Sequence, residues 1–530
     1  MLETVRSWRG AVVAPHHLAA RAGLRVLEDG GNAVEAMIAA AAAISVVYPH
    51  MNNLGGDNFW LIAPAGEDPV GIDACGAAAA KANIDFYREL GCDAIPSRGP
   101  LAALTVPGAV SGWQGAEAFS RRRLGGKLPV SRLLEDAAFF ARDGVAVTNT
   151  LANNAAGKFD ELKDAPGFTD VYTHGDTTVR TGERLHQPRI ATALDRLASA
   201  GFDDFYRGDL ARSMAADIER VGSPLALGDL ERHRALDVSP LGLTVGGHRI
   251  FNMPPPTQGL ASLMLLGIFE RLGVTEAEGF DFIHGLVEST KSAFRVRDRY
   301  VTDPVYMTVA PEKFLDAMKL DAMAATIDRA AAAPWPDATG AGDTVWLGAI
   351  DAQGNAVSMI QSVYWEFGSG VILPESGITL QNRGTSFSLD PAHHNCLQPF
   401  RRPFHTIQPA MARLADGRIM SYGTMGGEGQ PQTQAMVFAR HVLYGQELQR
   451  AITAPRWLLG RTWGSSVTNL RMENRFDPEV IERLRETGHD IDMVGPFDEV
   501  MGHAGALVRH PDGLIESAAD PRSDGQAAAF

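Results

Sequence analysis

The chain reads as an α/β protein, and three kinds of segment say so. One is an unbroken apolar stretch near the start, another is amphipathic stretches with apolar positions three and four apart, and the third is short apolar runs closed by turn residues. Taken in order, Gly30-Gly31-Asn32 supplies an N-cap in Asn32, and residues 33–47, apolar almost all round, predict a buried helix. Phe59-Trp60-Leu61-Ile62 predicts a short strand. Residues 129–142 and 280–300 have the spacing of amphipathic helices. Residues 345–364 predict a strand, a turn at Gln353-Gly354-Asn355 and a returning strand. Residues 410–414 and 419–422 read as two further short strands, and no internal repeat is present.

Composition narrows the function classes. At 530 residues, 45% hydrophobic and 21% charged, the chain can bury a large core, and length by itself suggests about three domains. Lys plus Arg number 48 against 63 Asp plus Glu, 48 − 63 = −15, with no basic cluster to track a phosphate backbone, so nucleic acid is not an expected partner. Cys75, Cys92 and Cys396 are too few and too scattered for a disulfide framework or a Cys-x-x-Cys metal site. His393-His394 near Cys396 lacks further ligands at matching spacing, and neither a metal nor another cofactor is expected. Residues 1–10 hold no apolar run of signal-peptide length, and residues 33–47 are interrupted by Glu35 and too short to cross a bilayer. A cytoplasmic protein without a membrane partner is expected; homo-oligomerisation stays open.

One junction carries chemistry. Residues 331–343, rich in Pro, Gly and Ala, predict an exposed flexible linker, and the hairpin begins directly after it. Cutting the Asp343-Thr344 bond would leave Thr344 as a strand-initial N-terminus, with its own amine as the nearest base for its hydroxyl. By itself, Thr344 is equally an ordinary β-branched strand starter.

Around that junction stand Asp343-Thr344-Val345, the run 351–357, Phe367-Gly368-Ser369-Gly370, residues 375–378 and Gly426-Gly427. Earlier in the chain come Gly30-Gly31-Asn32, His50, Gly55-Gly56-Asp57, Pro107-Gly108, Pro254-Pro255-Pro256, Glu288, Lys291, Arg297-Asp298 and Asp303-Pro304, and at the end Asp520-Pro521-Arg522. In this order, over nearly the whole chain, they resemble the γ-glutamyltransferase family. The resemblance implies a four-layer αββα sandwich of the N-terminal nucleophile hydrolase type. It implies self-cleavage into residues 1–343 and 344–530, partners that together make one structural domain, in place of the three suggested by length. It also implies Thr344 as nucleophile, Ser362 as the hydroxyl beside its amine, and backbone NH groups of Gly426 and Gly427 as oxyanion donors.

The matched substrate pocket departs from that pattern. Where glutathione-processing relatives hold the γ-glutamyl α-carboxylate with an arginine and a pair of serines, this chain has Cys75 and His405-Thr406. Where they hold the α-ammonium, it has Tyr364, Arg383 and Ser386. Loss of the acidic partner and gain of Arg383 disfavour a zwitterion, whereas a guanidinium suits a carboxylate held by two hydrogen bonds. Arg383 could instead be half of a structural ion pair. Tyr364, Trp365 and Phe404 add bulk that favours a smaller acyl group. The branch these departures match is an oxamate amidohydrolase of purine (allantoin) breakdown, so a small carboxylate-bearing amide such as oxamate is the expected substrate. A γ-glutamyl hydrolase or transferase, a cephalosporin-type acylase, and an uncleaved acid-binding pseudoenzyme are the alternatives.

Overall fold

A computed structural model describes residues 2–175, 177–335, 343–462 and 468–530, with Asp343 described through its backbone alone. The second half of the expected linker, residues 336–342, lies outside the described residues.

Two seven-stranded antiparallel sheets form the centre. The strands, in chain order, are β1 (Val5–Ser7), β2 (Gly10–Ala14), β3 (Asp57–Ala63), β4 (Val70–Ala74), β5 (Leu236–Val238), β6 (Leu241–Val245), β7 (His248–Asn252), β8 (Asp343–Asp351), β9 (Ala356–Tyr364), β10 (Ala410–Arg413), β11 (Ile419–Thr424), β12 (Ala504–Arg509), β13 (Ile515–Ala519) and β14 (Gln526–Ala529). One sheet runs β1-β13-β12-β11-β10-β7-β6 and the other β14-β2-β8-β9-β3-β4-β5. Both therefore interleave strands from before and after Thr344. Trp346, Phe59, Leu61, Met411 and Leu507 fill the space between the sheets, so that each sheet is buried on its inner face.

Helices cover the outer faces. Against the second sheet pack α1 (His17–Glu28) and α2 (Ala33–Val47), and Val130–Asp143 packs on α2. Asn32 caps α2 in a capping box with Glu35, and every residue of α2 is buried, as its all-round apolar sequence requires. Against the first sheet pack Gly259–Arg271 and Gly429–Phe438, with the 21-residue Phe280–Tyr300 laid over them. The result is the expected αββα sandwich.

The start of the linker departs from expectation. Ala332 NH donates to Thr487 O (2.8 Å), Lys291 Nζ donates to Ala333 O (2.6 Å), and Arg295 donates to Pro334 O (2.6 Å). Trp335 packs on Phe294. Composition predicts a flexible strip, but residues 331–335 are tied down because side chains of Phe280–Tyr300 satisfy their backbone groups.

Candidate active site

Thr344 stands at the start of β8, in the middle of its sheet, fully buried. On one side β8 pairs with β9, and the register slips between Asp343 and Val345, a bulge that sets Thr344 apart from the regular ladder. Ser362 on the neighbouring β9 accepts a hydrogen bond from Tyr364 NH (2.8 Å) and pairs in the ladder with Asp57 of β3. Gly56 lies so close to this strand that a Cβ would fall 2.1 Å from Ser362 O. Only glycine fits there.

Gly426 and Gly427 follow β11 and lead into Gly429–Phe438. Their φ values, +114° and +50°, put the loop in a conformation that glycine reaches readily. Gly426 O accepts from Gly429 NH (2.7 Å), turning the Gly426–Gly427 peptide so that its NH points away from the helix. Donors fixed in this way are what a developing oxyanion needs.

The residues expected to bind substrate fall into two sets. An outer set lines a cavity of about 700 Å³, with Tyr364, Trp365, Ser386, Phe404, Arg297 and Arg461 among its walls. An inner set of Cys75, Arg383, His405 and Thr406 is buried at 5% exposure or less. Tyr364 joins the two, since its ring lies 3.7 Å from the Arg383 guanidinium. The Tyr364 backbone is held at φ +85°, unusual for a bulky residue.

Arg383 stands out among the large buried arginines. Arg297 pairs with Glu428, Arg440 with Glu278 and Arg456 with Asp520. Arg383 has no carboxylate within ion-pair distance among the described residues. Among the described residues its one hydrogen bond is Nη1 to Thr406 Oγ1 (3.4 Å), and Nε and Nη2 have no partner there. Burial pulls its pKa down to about 10, opposed by Tyr364, Asp57 and Cys75, so it stays charged at neutral pH. A buried cation with open donors fits an anionic ligand.

Asp57 completes the inner set. Its Oδ1 accepts from Gly76 NH, Gly108 NH and Gln381 Nε2, each at 3.0 Å, and its Oδ2 lies 3.1 Å from His405 Nε2. Burial raises its pKa to about 7 against those hydrogen bonds and Arg383. Burial, followed by Arg383 and Arg402, holds His405 well below its usual range, so the imidazole is neutral. Asp57, Cys75 and His405 bring one ligand atom each within 4.8 Å. The Arg383 charge beside them opposes a cation, and burial keeps Cys75 a neutral thiol, its pKa pushed well above the usual value. A second group, His284, Glu288 and His489, is already occupied: the imidazoles bond each other at 2.9 Å, and Lys291 holds Glu288 at 2.7 Å.

Sequence reasoning gave no role to Asp57, Gln381, Gln258 or Glu428. The one local signal was Gly55-Gly56-Asp57, where two glycines admit close backbone approach just before an acid.

Raising the pH through about 7 should ionise Asp57 and weaken the pull of Arg383 on an acidic ligand. KM for a carboxylate-bearing amide should rise about threefold to tenfold between pH 6 and 8, worth about 0.7 to 1.4 kcal/mol. Asp57→Asn should flatten that profile, and a profile unchanged in the variant would exclude Asp57 as its source. For stability, the raised pKa favours folding at low pH; that contribution is complete below the unfolded value and lost as pH rises through about 7.

A family model for γ-glutamyltranspeptidase matches residues 19–530. The chain belongs to the γ-glutamyltranspeptidase family. Within it, the chain is 52% identical to the oxamate amidohydrolase proenzyme of Klebsiella pneumoniae subsp. pneumoniae, across 99% of each chain. It is 38% identical to a glutathione hydrolase-like proenzyme of Bacillus subtilis, again across 99% of each. The crystal structure of a cephalosporin acylase from Bacillus halodurans superposes with a TM-score of 0.92 at 32% identity, covering 100% of this chain and 97% of that one. The αββα sandwich is thus the N-terminal nucleophile hydrolase fold of this γ-glutamyltranspeptidase family of C–N hydrolases. No helix among the described residues is long and apolar enough to cross a membrane.

Proposed function

We propose that the protein cuts itself before Thr344 and then hydrolyses a small carboxylate-bearing amide, with oxamate the best candidate, to oxalate and ammonia. The observation that carries this reading is the buried Arg383, charged, with two open donors and no carboxylate partner among the described residues. The 52% identity to an oxamate amidohydrolase proenzyme supports the same substrate.

In this mechanism Oγ of Thr344 first attacks the Asp343 carbonyl and the C–N bond breaks, which leaves an ester on Oγ and frees the Thr344 amine; water then hydrolyses that ester, freeing Oγ and the Asp343 carboxyl. The pieces are residues 1–343 and 344–530, the second carrying the nucleophile. Arg383 and Thr406 then hold the substrate carboxylate. His405, Cys75 and Asp57 shape the polar end of the pocket, while Tyr364 and Ser386 border its mouth. Oγ attacks the amide carbon, its proton passing to the Thr344 amine beside Ser362. The oxyanion is met by Gly426 and Gly427 NH groups, ammonia leaves with the proton, and water cleaves the ester. With oxamate as substrate, the reaction would serve purine (allantoin) breakdown in the cytoplasm.

Purified protein should release ammonia from oxamate faster than from glutathione, glutamine or a cephalosporin side-chain amide. Glycylglycine should change the rate little, because water at high concentration should outcompete it for the acyl group in a pocket altered from the transferase pattern. Acyl transfer to the dipeptide with a several-fold stimulation would overturn the hydrolase reading, and faster turnover of a γ-glutamyl substrate would overturn the acid-amide one.

A further inference from the structure

Resting on the reading of Gly426 and Gly427 as oxyanion donors, we propose that Gln258, braced by Arg297, is the positioning residue that ties this loop to the carboxylate-binding segment.

Gln258 is fully buried between the Pro254-Pro255-Pro256 turn and the helix Gly259–Arg271. Its Nε2 donates to Gly427 O (2.8 Å) and to Thr406 O (2.6 Å). Its Oε1 accepts from Arg297 Nη1 (3.0 Å). A primary amide offers two N–H donors and one carbonyl. Here each faces a partner of the opposite kind, which leaves only one orientation of the side chain. Turning it over would set the amide oxygen against two carbonyls and its NH₂ against a guanidinium.

The main chain on either side is fixed as well. Gln258 NH donates to His405 O (2.9 Å), so the one residue holds the carbonyls of both His405 and Thr406. On the other side, Arg297 Nη2 reaches Glu428 Oε1 (2.7 Å), and Glu428 Oε2 accepts from Arg461 NH (2.8 Å). Gly427 O is thereby held by Gln258 while the next residue is held by Arg297. With Gly426 O already bonded to Gly429 NH, both glycine carbonyls are committed to the protein side. Gly426 O fixes the peptide that carries the Gly427 NH, and Gly427 O fixes the peptide after it, so neither side of Gly427 can turn without breaking a buried hydrogen bond and the Gly427 NH keeps its aim. The same amide sets the distance between that NH and Thr406, which shares the carboxylate with Arg383.

The test separates the tetrahedral state from simple binding. In 2-carboxyethylboronic acid the boron accepts the Thr344 Oγ lone pair, the hydroxyl proton passes to the Thr344 amine, and a boron hydroxyl takes the oxyanion position. Oxalate needs only the carboxylate site. Gln258→Glu keeps the shape but sets an acceptor against two carbonyls. It should weaken the boronate at least about tenfold and lower kcat on oxamate about 10- to 100-fold, with KM and oxalate affinity within about threefold. Should that variant not fold, Gln258→Met, which removes the donors and keeps the bulk, is held to the same expectation. Equal weakening of boronate and oxalate, or no change in either, overturns the proposal. Wild-type protein that hydrolyses oxamate and binds oxalate yet forms no boronate adduct would instead overturn the oxyanion reading beneath it.

Discussion

Thr344→Ala is expected to leave one chain of 530 residues where the native sequence is expected to yield pieces of 343 and 187. Hydrolysis should fall by about ten-thousandfold or more, since alanine has no oxygen to attack with. The fold should survive. Thr344 is buried at the head of β8, but its side chain is small, and the ladder from Val345 to Ile350 does not depend on it. Intact-mass measurement and an ammonia assay on the same sample decide the matter. A native preparation that stays uncut and fully active would refute self-processing, and a cut Thr344→Ala chain would assign the cleavage to an outside protease. Thr344→Ser should restore cutting and part of the activity, because serine keeps both the hydroxyl and the amine.

Arg383→Met should be the second-largest effect and the most selective. The substitution keeps most of the stem beside the Tyr364 ring and removes the charge. A charge-assisted contact to a carboxylate in a buried site is worth roughly 2 to 4 kcal/mol, or about 30- to 1000-fold in kcat/KM for oxamate. A neutral amide of similar size should lose little, and cutting before Thr344 should proceed. Stability should hold or rise, because the native guanidinium is desolvated without a carboxylate partner among the described residues. An equal loss on acidic and neutral amides, or a chain that no longer folds, would make Arg383 structural and remove the main support for a small-acid substrate.

What could be read from the sequence was what is local. The Asn32 cap, the all-apolar α2 and the hairpin of β8 and β9 announce themselves through neighbours in the chain, and the structure has them within a residue or two. The inner pocket does not announce itself. Asp57, Arg383 and His405 come from a strand start, a short helical turn and an extended segment more than 300 residues apart from first to last, with no shared periodicity. That Arg383 lacks a carboxylate is a fact about three-dimensional neighbours; sequence left the ion pair open as an alternative. The linker errs in the opposite way. Its composition describes the freedom of residues 331–335 in isolation, while Glu288, Lys291 and Arg295 decide it.

The interleaving of the two sheets makes the enzyme's history part of its stability. Each sheet contains strands from before Thr344 and strands from after it, so both are woven while they still belong to one polymer. If the Asp343-Thr344 bond is cut as proposed, the halves become a heterodimer that never had to meet in solution. The tether that kept each at high effective concentration for the other is gone. Unfolding the mature protein then becomes dissociation, and recovery becomes a second-order encounter between two fragments that expose sheet edges and apolar faces. On that reading, endurance after cleavage is governed by how slowly the halves separate, a kinetic barrier set once, when the uncut chain folded.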